Sequence, residues 1–177
     1  MVTDLQYATY GKIVWLWSNS NLHKTWSTSL QSRMVIPALM LGQLMMVHDQ
    51  NRHPVAYCSW AMLDAETELK YILNPNSLQP CDWRSGDRLW MIDFISPFSK
   101  HYTLILKNRL RQKFPRGVLR ALRVKEASKV GRVLTFMGQH LGPSEAEDIR
   151  RDYLLEMHHR LKNHPKLGLE FTFRDIP

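Results

Sequence analysis

His23 stands in the segment WLWSNSNLHKTW, residues 15–26, with Trp15, Trp17 and Trp26 around it. A free imidazole titrates close to neutral pH, so a histidine walled from water by indoles is a candidate general base. Such a base gains from a carboxylate that fixes its tautomer and orientation. Asp93 is the best candidate for that carboxylate. It lies in RLWMIDFIS (88–96), flanked by Trp90, Met91, Ile92, Phe94 and Ile95. An acid inside an apolar strand is costly to bury unless it is paired or hydrogen-bonded, and such positions are often functional. Both residues also have plainer uses. His23 could cap a helix, and Asp93 could pair with Arg88 or another arginine. The spacing between them does not by itself bring them together.

Other chemistries leave no trace. The chain has no P-loop, no G-x-G-x-x-G after a strand, no H-E-x-x-H and no C-x-x-C. His158, His159 and His164 lie close in sequence, but their spacing does not set three ligands on one helix face, so no metal is expected. Cys58 and Cys81 form neither a disulfide framework nor a zinc spacing.

The elements that must carry His23 and Asp93 follow from periodicity and breakers. A helix is expected over 10–17, ended by Ser18, Asn19, Ser20 and Asn21, and a second over 29–41, disturbed by Pro37. QLMMVHD (43–49) and PVAYCSWAML (54–63) read as strands around a hairpin turn at DQNRH. A helix at 65–73, a buried strand at 88–96 and a helix at 103–114 stopped by Pro115 come next. Strands are expected at 118–124, 132–137 and 169–175. Between the last two, Ser144 and Glu147 have the spacing of a capping box. The helix they open carries Ile149, Tyr153, Leu154, Met157 and Leu161 at helical spacing. Interleaved in this order, the elements predict an α+β fold. It is a single domain over 1–177 with a mixed, mainly antiparallel sheet flanked by helices.

The chain has 177 residues and a net charge of +8, and it has no apolar run of membrane-spanning length. Its first residues lack the pattern of a secretory signal, and with few cysteines the expectation is a reducing cytoplasm. From Lys107 to Arg132 there are ten basic residues and one acid, Glu126. A block this one-sided repels itself and points to an acidic partner. A non-enzymatic nucleic-acid-binding module is therefore the alternative to an enzyme, although no RNP, KH or zinc-finger motif is present.

The segments WLWSNSNLHKTW, PVAYCSWA, SGDRLWMIDFISPF and LRALRV, in this order and spacing, make the chain resemble one family over residues 8–140. It is similar to the lysine acyltransferases that activate RTX toxins, the haemolysin-activating and adenylate-cyclase-toxin-activating type. The resemblance implies a GNAT-like fold. It also implies transfer of a fatty acyl group from acyl carrier protein to internal lysines of a protoxin. The donor is then a phosphopantetheine thioester, and no cofactor is permanently bound. By the same resemblance His23 and Asp93 are the catalytic pair, and Ser20, Tyr57, Arg88 and Trp90 are substrate-binding positions. The expected partners are acyl carrier protein, an RTX protoxin and a second copy of the chain, with no nucleic acid. An acetyltransferase using acetyl-coenzyme A is disfavoured by the missing Gly-rich loop. His23 serves as a base or, by a second route, as a nucleophile. Asn21 and Phe94 depart from the family pattern, where proline and tryptophan are common.

Overall fold

Helix α1, Asp4–Ser18, begins at a capping box: the Thr3 side chain accepts from the Gln6 N–H, and the Gln6 side chain accepts from the Thr3 N–H. It starts six residues earlier than periodicity predicts, because the T-x-x-Q signature at 3–6 outweighs a weak apolar pattern. Helix α2, Thr28–Leu41, is capped by Ser27 and keeps Pro37 inside it. It ends on Gly42, whose φ of 64° is the left-handed cap that glycine takes without strain. The computed structural model describes residues 3–123 and 132–164. The chain divides into two compact units, Met1–Gln139 and His140–Pro177.

The first unit holds a five-stranded sheet in the order β1-β2-β3-β4-β5: Leu44–His48, Pro54–Leu63, Arg88–Ile95, Val118–Arg123 and Arg132–Met137. The β1–β2 hairpin, the β2–β3 pair and the β4–β5 pair are antiparallel, and β3–β4 is parallel. The sheet is therefore mixed, as the sequence predicts. The strand expected at 169–175 lies outside the described residues. Helix α3, Ala65–Leu73, is capped by Asp64. Two short 3-10 turns, Pro75–Ser77 and Pro80–Trp83, lead into β3. Helix α4, Lys100–Lys113, begins three residues before the predicted start, because Ser99 caps it.

The sheet has a helix layer on each face. Leu106 and Leu110 of α4 pack on Cys58, Trp60, Leu89 and Met91. On the other face, Ile13, Leu16 and Trp17 of α1 pack with Val35, Tyr57 and Ile95. Beside them, Ala38 of α2 and Tyr71 of α3 pack with Ala61, Leu63 and Trp90. In the second unit, helix α5 spans Pro143–Lys162 with Tyr153, Met157 and Leu161 as its buried stripe. The capping box expected at Ser144 and Glu147 does not form. The N-cap is Gly142, Pro143 takes the first turn, and Glu147 pairs with Arg150 instead. No helix among the described residues is long and apolar enough to cross a membrane.

Gly86 is needed where the chain enters β3. A Cβ there would sit 2.6 Å from the backbone of Asp64, whereas a Cβ on Gly11 of α1 would meet nothing within 4 Å. Gly86→Ala is expected to lower stability by about 1–3 kcal/mol in urea titration. Gly11→Ala is expected to leave stability unchanged or raise it.

Candidate functional site

A side chain on a strand changes faces every residue, so Met91 and Asp93 should share the α4 face of the sheet. They do not. Ser59 pairs with Asp93, and the next residue, Trp60, pairs with Met91, leaving Ile92 as an extra residue in β3. This β-bulge shifts the alternation. Met91 and Phe94 remain with the α4 core, whereas Ile92 packs on the α2–α3 side. Asp93 turns toward α1.

There it meets His23. The His23 Nε2 lies 3.0 Å from Asp93 Oδ1, with the two side chains 5 % and 7 % exposed. The second oxygen, Oδ2, accepts from the indole N–H of Trp17 at 3.0 Å. The other ring nitrogen, His23 Nδ1, is 2.7 Å from the Ser20 hydroxyl. The backbone holds this arrangement between α1 and α2. The Ser20 carbonyl accepts from the N–H groups of His23 and Lys24, and the His23 carbonyl accepts from the Trp26 N–H. The imidazole is flanked by Trp17 at 4.9 Å and Trp26 at 4.6 Å between ring centroids. Of the three tryptophans, Trp15 alone turns elsewhere, meeting Phe98 edge to face at 5.5 Å.

A carboxylate only accepts hydrogen bonds, so Asp93 fixes the proton of neutral His23 on Nε2. The lone pair on Nδ1 then accepts from the Ser20 hydroxyl. The pair is thus arranged to take a further proton at Nδ1, with the resulting charge faced by Asp93.

The remaining predicted positions lie apart from this pair or beneath it. Tyr57 is fully buried among Ile13, Leu16 and Trp17. Burial, and then the charge of Asp93, push its phenol well above the usual range, so it stays protonated. Its hydroxyl and that of Ser59 influence each other without a well-formed hydrogen bond. Arg88 and Trp90 go to Glu68, a residue sequence reasoning passed over. The Glu68 carboxylate is fully buried, ion-paired with Arg88, and accepts from the Trp90 indole N–H at 2.7 Å. The Arg88 ion pair considered for Asp93 is therefore made with Glu68. Trp90 also meets Tyr71 edge to face at 5.4 Å. The sequence signal for Glu68 was its place on the buried face of α3 with Tyr71 at i+3.

Both departures from the family pattern leave the pair untouched. Asn21 accepts from the Lys24 ammonium on the surface, and Phe94 packs on the α4 side of the sheet. Among the described residues no group of side chains could hold a metal ion. Cys58 and Cys81 are both free.

The profile of the RTX toxin acyltransferase family matches residues 3–137. The chain is 44 % identical over 164 residues to the leukotoxin-activating lysine-acyltransferase of Mannheimia haemolytica serotype A1, covering 92 % of this chain and 93 % of that protein. It is 42 % identical over 153 residues to a protein-lysine myristoyltransferase of Kingella kingae, with 86 % and 89 % covered. It is 41 % identical over 140 residues to a protein-lysine palmitoyltransferase of Bordetella bronchiseptica, with 79 % and 75 % covered. A mixed sheet presenting a buried His–Asp pair, in a chain this similar to lysine acyltransferases, defines an acyltransferase class. The chain belongs to the RTX toxin acyltransferase family.

Two substitutions separate the roles of the two buried acids. Asp93→Asn should fold normally, but its amide can donate to Nε2 and reverse the tautomer. A loss in kcat of roughly 10³–10⁴-fold is expected in an acylation assay. Glu68→Ala should instead lower stability by roughly 3 kcal/mol in urea titration, since it leaves Arg88 and the Trp90 N–H without their carboxylate.

Proposed function

We propose that this chain is a protein-lysine N-acyltransferase that moves a fatty acyl chain from acyl carrier protein to internal lysines of an RTX protoxin. The observation that carries the reading is the contact of His23 Nε2 with Asp93 Oδ1 at 3.0 Å while Nδ1 stays available to a donor. The relatives named above as lysine acyltransferases, toxin-activating, myristoyl- and palmitoyl-transferring, support the acceptor and the fatty nature of the donor. The mixed sheet with helices on both faces supports the GNAT-like arrangement that the resemblance implies.

The chemistry begins from a lysine ammonium, which is protonated at neutral pH and cannot attack. His23 Nδ1 accepts one of its protons at the position now held by the Ser20 hydroxyl. The free amine attacks the thioester carbonyl carbon, a C–N bond forms, and the C–S bond breaks. Two protons leave the nitrogen in total. One neutralises the departing thiolate and the other goes to solvent. Asp93 keeps the imidazole oriented and faces its positive charge throughout. The base role is favoured over the nucleophile because the ring is closed in by Trp17 and Trp26, which leaves little room for an acyl group on nitrogen.

The exposed basic side chains of α4 supply an acidic carrier with a docking face. Lys107, Arg109 and Lys113 are exposed there, as is Arg116 just beyond the helix. Complementary charge of this kind raises the rate of encounter. Arg111, from the same basic block, is used internally instead: its guanidinium donates to the Met137 carbonyl at 3.0 Å.

The test is mass spectrometry of a protoxin fragment incubated with long-chain acyl carrier protein and enzyme. Wild type should add an acyl mass to lysine, and folded His23→Ala and Asp93→Ala should not. A mass shift that persists in both variants would remove the pair from the mechanism. No shift with any donor would remove the activity.

A further inference from the structure

A groove of about 790 Å³ lies along α1, and the proposed chemistry at His23 does not use its lining. One wall is a single stripe of the helix, Ala8, Gly11, Lys12 and Trp15, at i, i+3, i+4 and i+7. Across from it are the tip of the β1–β2 hairpin and, from the start of α4 and the loop before it, Phe98 and Tyr102. Trp15 and Phe98 are both exposed, and their edge-to-face contact forms an aromatic end to the groove. At about 1.5 Å per residue, the stripe from Ala8 to Trp15 is roughly 10 Å long, with Trp15 on the Ser20 side. The groove therefore runs toward the catalytic loop.

Its rim is cationic. The imidazole of His48 is held below its usual proton affinity by burial and then by the charges of Lys12, Arg52 and Arg109, with Asp49 acting the other way. Lys12 lines the groove itself, and Arg52 and Arg109 act on His48, the neighbour of the lining residue Asp49. Asp49 is the opposing anion, and the hairpin holds it: its carboxylate accepts from the N–H groups of Asn51 and His53. Positive charge remains in excess. Arg109 also belongs to the exposed basic face of α4.

We infer that this groove holds the phosphopantetheine arm of the acyl carrier, with its phosphodiester against Lys12, Arg52 and Arg109 and its thioester end passing Trp15 toward His23. The inference rests on the carrier-protein reading of the donor given above. An extended arm of pantoate, β-alanine and cysteamine reaches roughly 18–20 Å, more than the roughly 9 Å of helix from Lys12 to Ser18, so its thioester end can pass Trp15 and the end of α1. Its methyl and methylene groups suit the apolar lining, and its one anionic group suits the rim. A bare acyl chain would leave the cations without a partner.

Two variants test it. In Gly11→Leu the new side chain enters open groove space, because a Cβ at Gly11 meets nothing within 4 Å. Lys12→Glu reverses one charge of the rim. Calorimetric binding is measured with holo carrier protein and with apo carrier protein, which lacks the arm. Acyl transfer is measured with donor and protoxin fragment varied separately. Wild type should bind holo carrier about tenfold tighter than apo carrier. Gly11→Leu should abolish that preference and leave apo binding unchanged. Lys12→Glu should raise the KM for the donor about tenfold, with the KM for the fragment unchanged. Variants that keep the holo preference and the donor KM would overturn the inference. So would a rise confined to the KM of the fragment, or a loss seen with long acyl chains and not with short ones. If wild type accepts no acyl group from the carrier but acylates from another donor, the carrier reading falls and this inference falls with it.

Discussion

Asp93 lies in the central strand of the sheet, and a carboxylate at that depth keeps its charge only if both oxygens are hydrogen-bonded. Trp17 and His23 supply those bonds, and both come from the α1 side. A regular strand would send Asp93 the other way, into the apolar α4 core. One extra residue, Ile92, resolves the conflict by turning Asp93 without moving Met91 or Phe94 from their core positions. The bulge, the placement of α1 and the proton on His23 Nε2 are therefore linked. Changing any of them leaves a buried acid facing the wrong surroundings.

The rest of the first unit keeps that geometry in place. The buried residues of α1 seat Trp17 against Tyr57 and Ile95, the strand neighbours of the Asp93 register. A second buried acid, Glu68, ties α3 to β3 through Arg88 and Trp90. The two acids have similar burial and different work. Glu68 is matched by a full cation and an indole donor, which makes it structural. Asp93 is matched by an imidazole whose charge can change and an indole donor. An imidazole so placed can take a proton on its free ring nitrogen with a carboxylate facing the other.

Much of this was legible in the sequence. The strands at 54–63 and 132–137 and the helix at 65–73 lie where patterning places them, because alternation and breakers agree there. His23 and Asp93 stood out because each is a polar residue in an apolar setting. The bulge was not legible. Ile92 is a good strand residue, and nothing in RLWMIDFIS marks it as extra; only its pairing with β2 does. For the same reason the donor role of Trp17 was hidden behind its role as a wall. Arg88 and Trp90 were singled out by motif, and their partner was not, because an ion pair between a helix and a strand leaves no periodic trace. The α5 cap failed because Pro143, one residue earlier, already sets the first helical turn.

Asp93 sets the neutral tautomer of His23 and leaves Nδ1 as the proton acceptor. Nitrogen NMR of protein labelled at histidine reads this directly. Neutral His23 is expected to carry its proton on Nε2, with Nδ1 unprotonated, and Asp93→Asn is expected to alter this pattern. A proton found on Nδ1 in the wild-type protein would contradict it, since the base would then have to be the nitrogen that faces Asp93.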